Sequence, residues 1–162
     1  MRSSLFLQLN LTIMLACCCF TSIEAKSNEA RVIPADLVPL VNVLREVGYT
    51  VYFSKPPLVG AYGATDARNK KIWLAPISVD MGIARQVLIH EAVHAAQACP
   101  NGTYEAIGWT VSLPKSVEVN IKGILYKKYR RKNFDVEKEA FYMQSHPQAF
   151  MEISKALRQR CL

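Results

Sequence analysis

The chain has 162 residues, 51% of them hydrophobic and 20% charged, with a formal net charge of +7. That length allows one domain with a modest core, and the lack of repeats or low-complexity runs leaves an ordinary globular class. Much of the positive excess gathers in Lys122, Lys127, Lys128, Arg130, Arg131 and Lys132, a cluster that suits a solvated helix face or contact with an anionic surface or acidic substrate.

Residues 1–25 read as a signal peptide: Arg2 gives a positive start, Leu11 to Phe20 is apolar except for Thr12, and Ala25 ends a polar exit. The apolar run falls short of the roughly 20 residues that a membrane-spanning helix needs. A secreted or periplasmic product spanning 26–162 is expected. The alternative is a lipoprotein anchored at Cys17, because Met14-Leu15-Ala16-Cys17 resembles a loose lipobox. For an exported protein no nucleic-acid partner is expected. Cys17, Cys18 and Cys19 belong to the leader, so Cys99 and Cys161 remain as an even pair. Such a pair suggests one disulfide, the other reading being two unrelated buried thiols.

Past a polar lead-in, Asp36 is placed to cap a helix whose apolar stripe runs from Leu37 to Val47 and stops at Gly48. Pro39 falls in its first turn, where proline is tolerated. Tyr49–Phe53, Val59–Thr65 and Lys71–Ala75 then read as three short strands. Their short connections predict a small, mostly antiparallel sheet. Ser78 or Asp80 is placed to cap a long helix through Cys99, ended by Pro100-Asn101-Gly102. Pro114, then Asn133 or Asp135, then Pro147 open three further helices. The order of elements is α+β, with the sheet packed on the long helix and more helices following.

The long helix contains His90-Glu91-Ala92-Val93-His94. Residues four apart share a helix face, so His90 and His94 can ligate one zinc ion. Glu91 is offset from both, placed to reach a water rather than the metal and to act as general base. The flanking residues Val87, Leu88, Ile89, Ala95 and Ala96 are uncharged, as a buried metal helix requires. A third histidine six positions beyond His94 is excluded, because Pro100 stands there and Gln97 stands where such proteins have glycine. A later glutamate is therefore the expected third ligand, from Glu105, Glu118, Glu137, Glu139 or Glu152. Glu137 is favoured, with Glu139 as the alternative, because Ala140 lies one turn after Glu137 and lets its helix approach closely. The two glutamates point about 200° apart on a helix, so one of them at most is a ligand.

His90-Glu91-x-x-His94 with a late Glu137-x-Glu139-Ala140 resembles the gluzincin metallopeptidases, and more distantly the compact ImmA/IrrE-type minimal zincins. It is most similar to an uncharacterised metallopeptidase family with His-Glu-x-x-His-x-x-Gln-x-Cys, here His90 to Cys99, and a late Glu-x-Glu-Ala helix. The likeness extends over about residues 32 to 161. Phe141 departs from the asparagine that the minimal zincins carry at that position. The resemblance implies a zincin-like fold, a zinc cofactor and hydrolysis of peptide or protein substrates with Glu91 as base. It also implies that a substrate pairs as an added strand along Ile72–Ala75, and that an oxyanion donor exists, with Tyr104, Tyr126 and Tyr142 as candidates. The competing expectation is a non-catalytic protein, zinc-stabilised or bound to the cell envelope, that uses its basic helical face.

Overall fold

An alanine-rich helix with almost no charge has no face to give to water, and must be covered from several sides. Helix α3 (Ala84–Gln97) is such a helix, with eleven buried residues that include Glu91, His94 and Gln97. The computed structural model describes residues 33–128 and 134–162. The proposed leader, Cys17 and Arg130, Arg131 and Lys132 lie outside the described residues. Lys127 is exposed on its helix.

Around α3 stand a 3-10 turn (Ala35–Leu37), α1 (Val38–Glu46), β1 (Thr50–Tyr52), β2 (Gly63–Asp66), β3 (Lys71–Leu74), α2 (Ile77–Asp80), α4 (Lys115–Lys128), α5 (Phe134–Met143) and α6 (Ala149–Cys161). The class is α+β, as expected. None of the described helices is long and apolar enough to cross a membrane. Helices α5 and α6 pack against α3, and α1 packs against α6. Leu40, Leu44, Leu74, Leu88, Ile89, Ile153 and Leu157 fill the main core. A second, smaller core of Ile121, Leu125 and Tyr142 joins α4 to α5.

The sheet differs from the expected one. Its order is β1-β3-β2, with β1 parallel and β2 antiparallel to β3, so it is mixed rather than mostly antiparallel. The reason lies in residues 53–62. This segment crosses to the far side of the sheet instead of turning back as a hairpin, and β3 then inserts between the two earlier strands. Only β2 and β3 form a hairpin, whose turn is held by Asn69 donating to Asp66. Consequently β3 is the central strand, and Ile72–Ala75 has no free edge to offer a substrate. The free edge beside α3 belongs to β2.

Two capping expectations also change. No side chain caps the N-terminus of α1, because the 3-10 turn feeds it directly, with proline in its first turn as predicted. The expected long helix from Ser78 is two helices, broken at Gly82 with φ +67. Ser78 is buried and donates to Ala75 O at 2.6 Å, while Ile83 occupies the N-cap position of α3.

The C-terminal end of α3 is secured twice. Cys99 and Cys161 form the predicted disulfide, with Cα atoms 5.1 Å apart. Next to it, Arg160 donates to Ala96 O at 3.0 Å and Cys99 O at 3.1 Å. Both carbonyls lie at the C-terminal end of α3, where helical backbone bonding runs out.

Candidate metal centre

His90 and His94 lie one turn apart on α3, and α5 brings Glu137 to them. His90 Nε2 is 3.0 Å from His94 Nε2, and Glu137 Oε2 is 3.3 Å from the first and 3.5 Å from the second. Glu137 Oε2 is buried and makes no hydrogen bond. A shared proton can satisfy one pair among three such basic atoms, whereas one cation satisfies all three. The residues therefore fit a metal ion, and among the described residues this is the one His/Cys/Asp/Glu group placed to hold one. Burial opposes ionisation of Glu137, but the two imidazoles facing it outweigh that and hold its carboxyl down at about 2. Burial likewise opposes charge on His94, yet Glu137 and Glu91 together raise it above the ordinary imidazole range.

Glu139, the alternative ligand, points elsewhere. It is only 6% exposed, and its oxygens accept from Ile107 N at 2.8 Å, Gly108 N at 2.6 Å, Trp109 N at 2.7 Å and Gln97 Nε2 at 2.8 Å. Four donors fill the acceptor capacity of a carboxylate. Ala140 is fully buried where α5 packs on α3, in keeping with the clearance expected of it. Glu118 is paired with Lys122 and Tyr142, away from the centre. Neither Glu105 nor Glu152 belongs to the cluster.

Glu91 projects beside His90, His94 and Glu137 toward β2. Its Oε2 accepts from Thr65 Oγ1 at 2.8 Å. Gly63 makes this approach possible. A Cβ there would lie 2.6 Å from Val87 Cγ1 and 2.7 Å from Glu91 Oε1, so glycine is required for space rather than for an unusual φ. His90, Glu91, His94 and Glu137 open together onto a cavity of about 690 Å³. Leu58, Val59, Tyr62, Val136 and Phe141 line its walls, and its acidic residues are Glu91 and Glu137, with no lysine or arginine among the described lining residues.

The remaining ring contacts are local. Phe141 meets the His90 ring edge-on, with ring centroids 4.7 Å apart. Of the three tyrosines singled out, only Tyr104 lines the cavity; its hydroxyl donates to Thr65 O at 3.0 Å. Tyr142 donates to Glu118 at 3.2 Å and Tyr126 is exposed. His146 Nδ1 accepts from Gln148 N, outside the centre.

Sequence reasoning missed Thr65, Gly63 and Gln144. Gln144 Nε2 lies 3.2 Å from His90 Nδ1. Only the -Gly-x-Thr- placement in a strand preceding the motif helix hints at the first two, and no local pattern marks the third. Comparisons of the chain with family models, with curated proteins and with solved structures find no match.

Proposed function

We propose that the protein is an exported, zinc-dependent peptidase of gluzincin type, with His90, His94 and Glu137 as metal ligands and Glu91 as general base. The observation that carries this reading is the spacing of the donors. Tetrahedral zinc with bonds of about 2.0–2.1 Å sets neighbouring donor atoms about 3.3 Å apart, and here the three separations are 3.0, 3.3 and 3.5 Å. Two imidazoles and one carboxylate also match the donor preference of zinc. When bound, zinc supplies Lewis acidity and activates water near neutral pH.

The residues around it support the rest of the chemistry. Glu91, braced by Thr65, is positioned to take a proton from an attacking water and return it to a leaving amine. The outer edge of β2 suits an extended peptide. Ala75 N donates to Tyr62 O at 2.8 Å, so antiparallel alternation turns the backbone groups of Gly63 and Thr65 away from β3. Tyr104 occupies Thr65 O, leaving the groups of Gly63 and the N–H of Thr65 to pair with substrate. The apolar walls formed by Leu58, Val59 and Phe141 favour uncharged side chains beside the scissile bond. The disulfide suits an oxidising compartment, in keeping with export.

Metal analysis and peptidase profiling of the wild type and Glu91→Gln test this function. About one zinc per chain is expected in both proteins, with hydrolysis lost only in the variant. A wild-type protein purified without chelators and free of zinc would overturn the proposal.

A further inference from the structure

We infer that Glu139 and Gln97 form a strut that fixes the tautomer of His94, so that this ring presents the Nε2 lone pair a metal requires. The consequence for metal binding rests on the function proposed above; the tautomer itself does not.

Gln97 is fully buried and three residues beyond His94, on the same side of α3. Its Nε2 donates to Val136 O at 2.9 Å and to Glu139 Oε2 at 2.8 Å. Both amide protons are thus used, and both acceptors belong to α5. Turning the amide over would set its oxygen against a carbonyl and a carboxylate and lose both of these hydrogen bonds. The orientation is therefore forced, and it places Oε1 at 2.8 Å from His94 Nδ1. An amide oxygen can only accept, so in the neutral ring Nδ1 carries the proton and Nε2 keeps its lone pair facing His90 and Glu137.

Glu139 is what makes the strut rigid. Three consecutive backbone N–H groups, from Ile107, Gly108 and Trp109, clamp its carboxylate. It cannot swing away from Gln97 without releasing that loop. Glu139 is accordingly a positioning residue, acting on the metal site through Gln97 and His94. His90 provides a contrast. Its Nδ1 meets Gln144, which is only partly buried and, among the described residues, has no second hydrogen bond that would fix which way its amide faces. The strut belongs to His94 alone.

The test is long-range ¹H–¹⁵N NMR of the imidazoles in the metal-free full chain, above the pH at which they protonate. Zinc affinity is measured in parallel by chelator competition. In the wild type His94 should read as the Nδ1–H tautomer. Gln97→Met removes the acceptor at similar volume, and Glu139→Gln sets an amide N–H against Gln97 Nε2 and drives Gln97 to turn over. Both should move His94 toward Nε2–H and weaken zinc by about 10- to 100-fold. The double variant Gln97→Glu with Glu139→Gln restores an acceptor for His94 and a donor–acceptor pair within the strut. It should recover the Nδ1–H tautomer. A role in packing alone would lower thermal stability in all three variants without this reversal.

An Nε2–H signal for wild-type His94 would overturn the inference. So would single variants that keep both the tautomer and zinc affinity within about twofold of wild type. Should Glu139→Gln fail to fold, Gln97→Met decides. A wild type that shows the Nδ1–H tautomer but binds no zinc would refute the proposed function and leave the strut standing.

Discussion

Gly63→Ala places one methyl group in the narrowest contact of the site. The new Cβ would lie 2.6 Å from Val87 Cγ1, 2.7 Å from Glu91 Oε1 and 2.8 Å from Glu91 Cγ, against an ordinary carbon–carbon separation of about 3.5–4.0 Å. About 1 Å must therefore be found between β2 and α3. Helix α3 is held from behind by α5, α6 and the disulfide, so β2 and the Glu91 side chain must give. A shift of that size breaks the 2.8 Å bond from Thr65 and misplaces the proposed base. Misplacement by about 1 Å costs on the order of 100-fold in rate, and overpacking costs about 1–3 kcal/mol of stability. None of the three proposed metal ligands comes from β2, so the zinc content proposed for the wild type should be unchanged. The assay is kcat/KM on a peptide that the wild type cleaves, with zinc content and a urea unfolding curve on the same preparation. An alanine variant as active and as stable as the wild type would refute the reasoning. Loss of zinc together with activity would refute the claim that β2 acts on the base alone.

Glu137→Ala should reduce zinc binding to a level removed by a weak chelator, read by metal analysis after dialysis, because it deletes one of three protein donors. Replacing Cys99 and Cys161 together by serine should cost about 4 kcal/mol, the chain-entropy value for a crosslink between residues 62 apart, measured as the fall in unfolding free energy in urea. Tyr49 gives the pH prediction. Burial first, then the charges that Tyr104 and Asp66 carry when ionised, push its phenol from 10.0 up to about 12. The folded state thus favours the neutral phenol, so the contribution is complete below pH 10 and is lost as pH rises toward 12. Unfolding midpoints from about pH 9 to about pH 11.5 should fall more steeply in the wild type than in Tyr49→Phe; parallel slopes would refute this.

What could be read from the sequence was whatever sits in one element with its period intact. The motif helix showed its candidate site residues because His90, Glu91 and His94 obey helical spacing within an uncharged frame. Glu137 could be preferred to Glu139 because Ala140 supplied clearance on its face, and the structure places Glu137 with the histidines. The cysteine pair was legible by counting. The parts that were not legible depend on how elements meet. Strand order turns on the path of residues 53–62, which contains no periodic signal, so the parallel pairing of β1 with β3 and the free edge of β2 could not be foreseen. Nor could Thr65 and Gly63, whose roles exist only because β2 lies against Glu91. The break at Gly82 was also missed, because a single glycine before an apolar helix does not by itself end the preceding one.

The placement of α5 explains why one short segment contributes so many parts of the centre. Side chains two apart on a helix point about 200° apart, so Glu137 and Glu139 must face different neighbours. Glu137 faces the histidines, and Glu139 faces Gln97 and the loop at Ile107–Trp109. Phe141 and Gln144 then reach His90, the first edge-on and the second at Nδ1. Each imidazole is thus held through its ring nitrogen or its edge by a residue of α5 or by one that α5 fixes. Rotating α5 by one residue would withdraw Glu137 from the centre and release the Gln97 strut in the same step. The two glutamates, separated by a single lysine, therefore act as one geometrical constraint on where α5 sits.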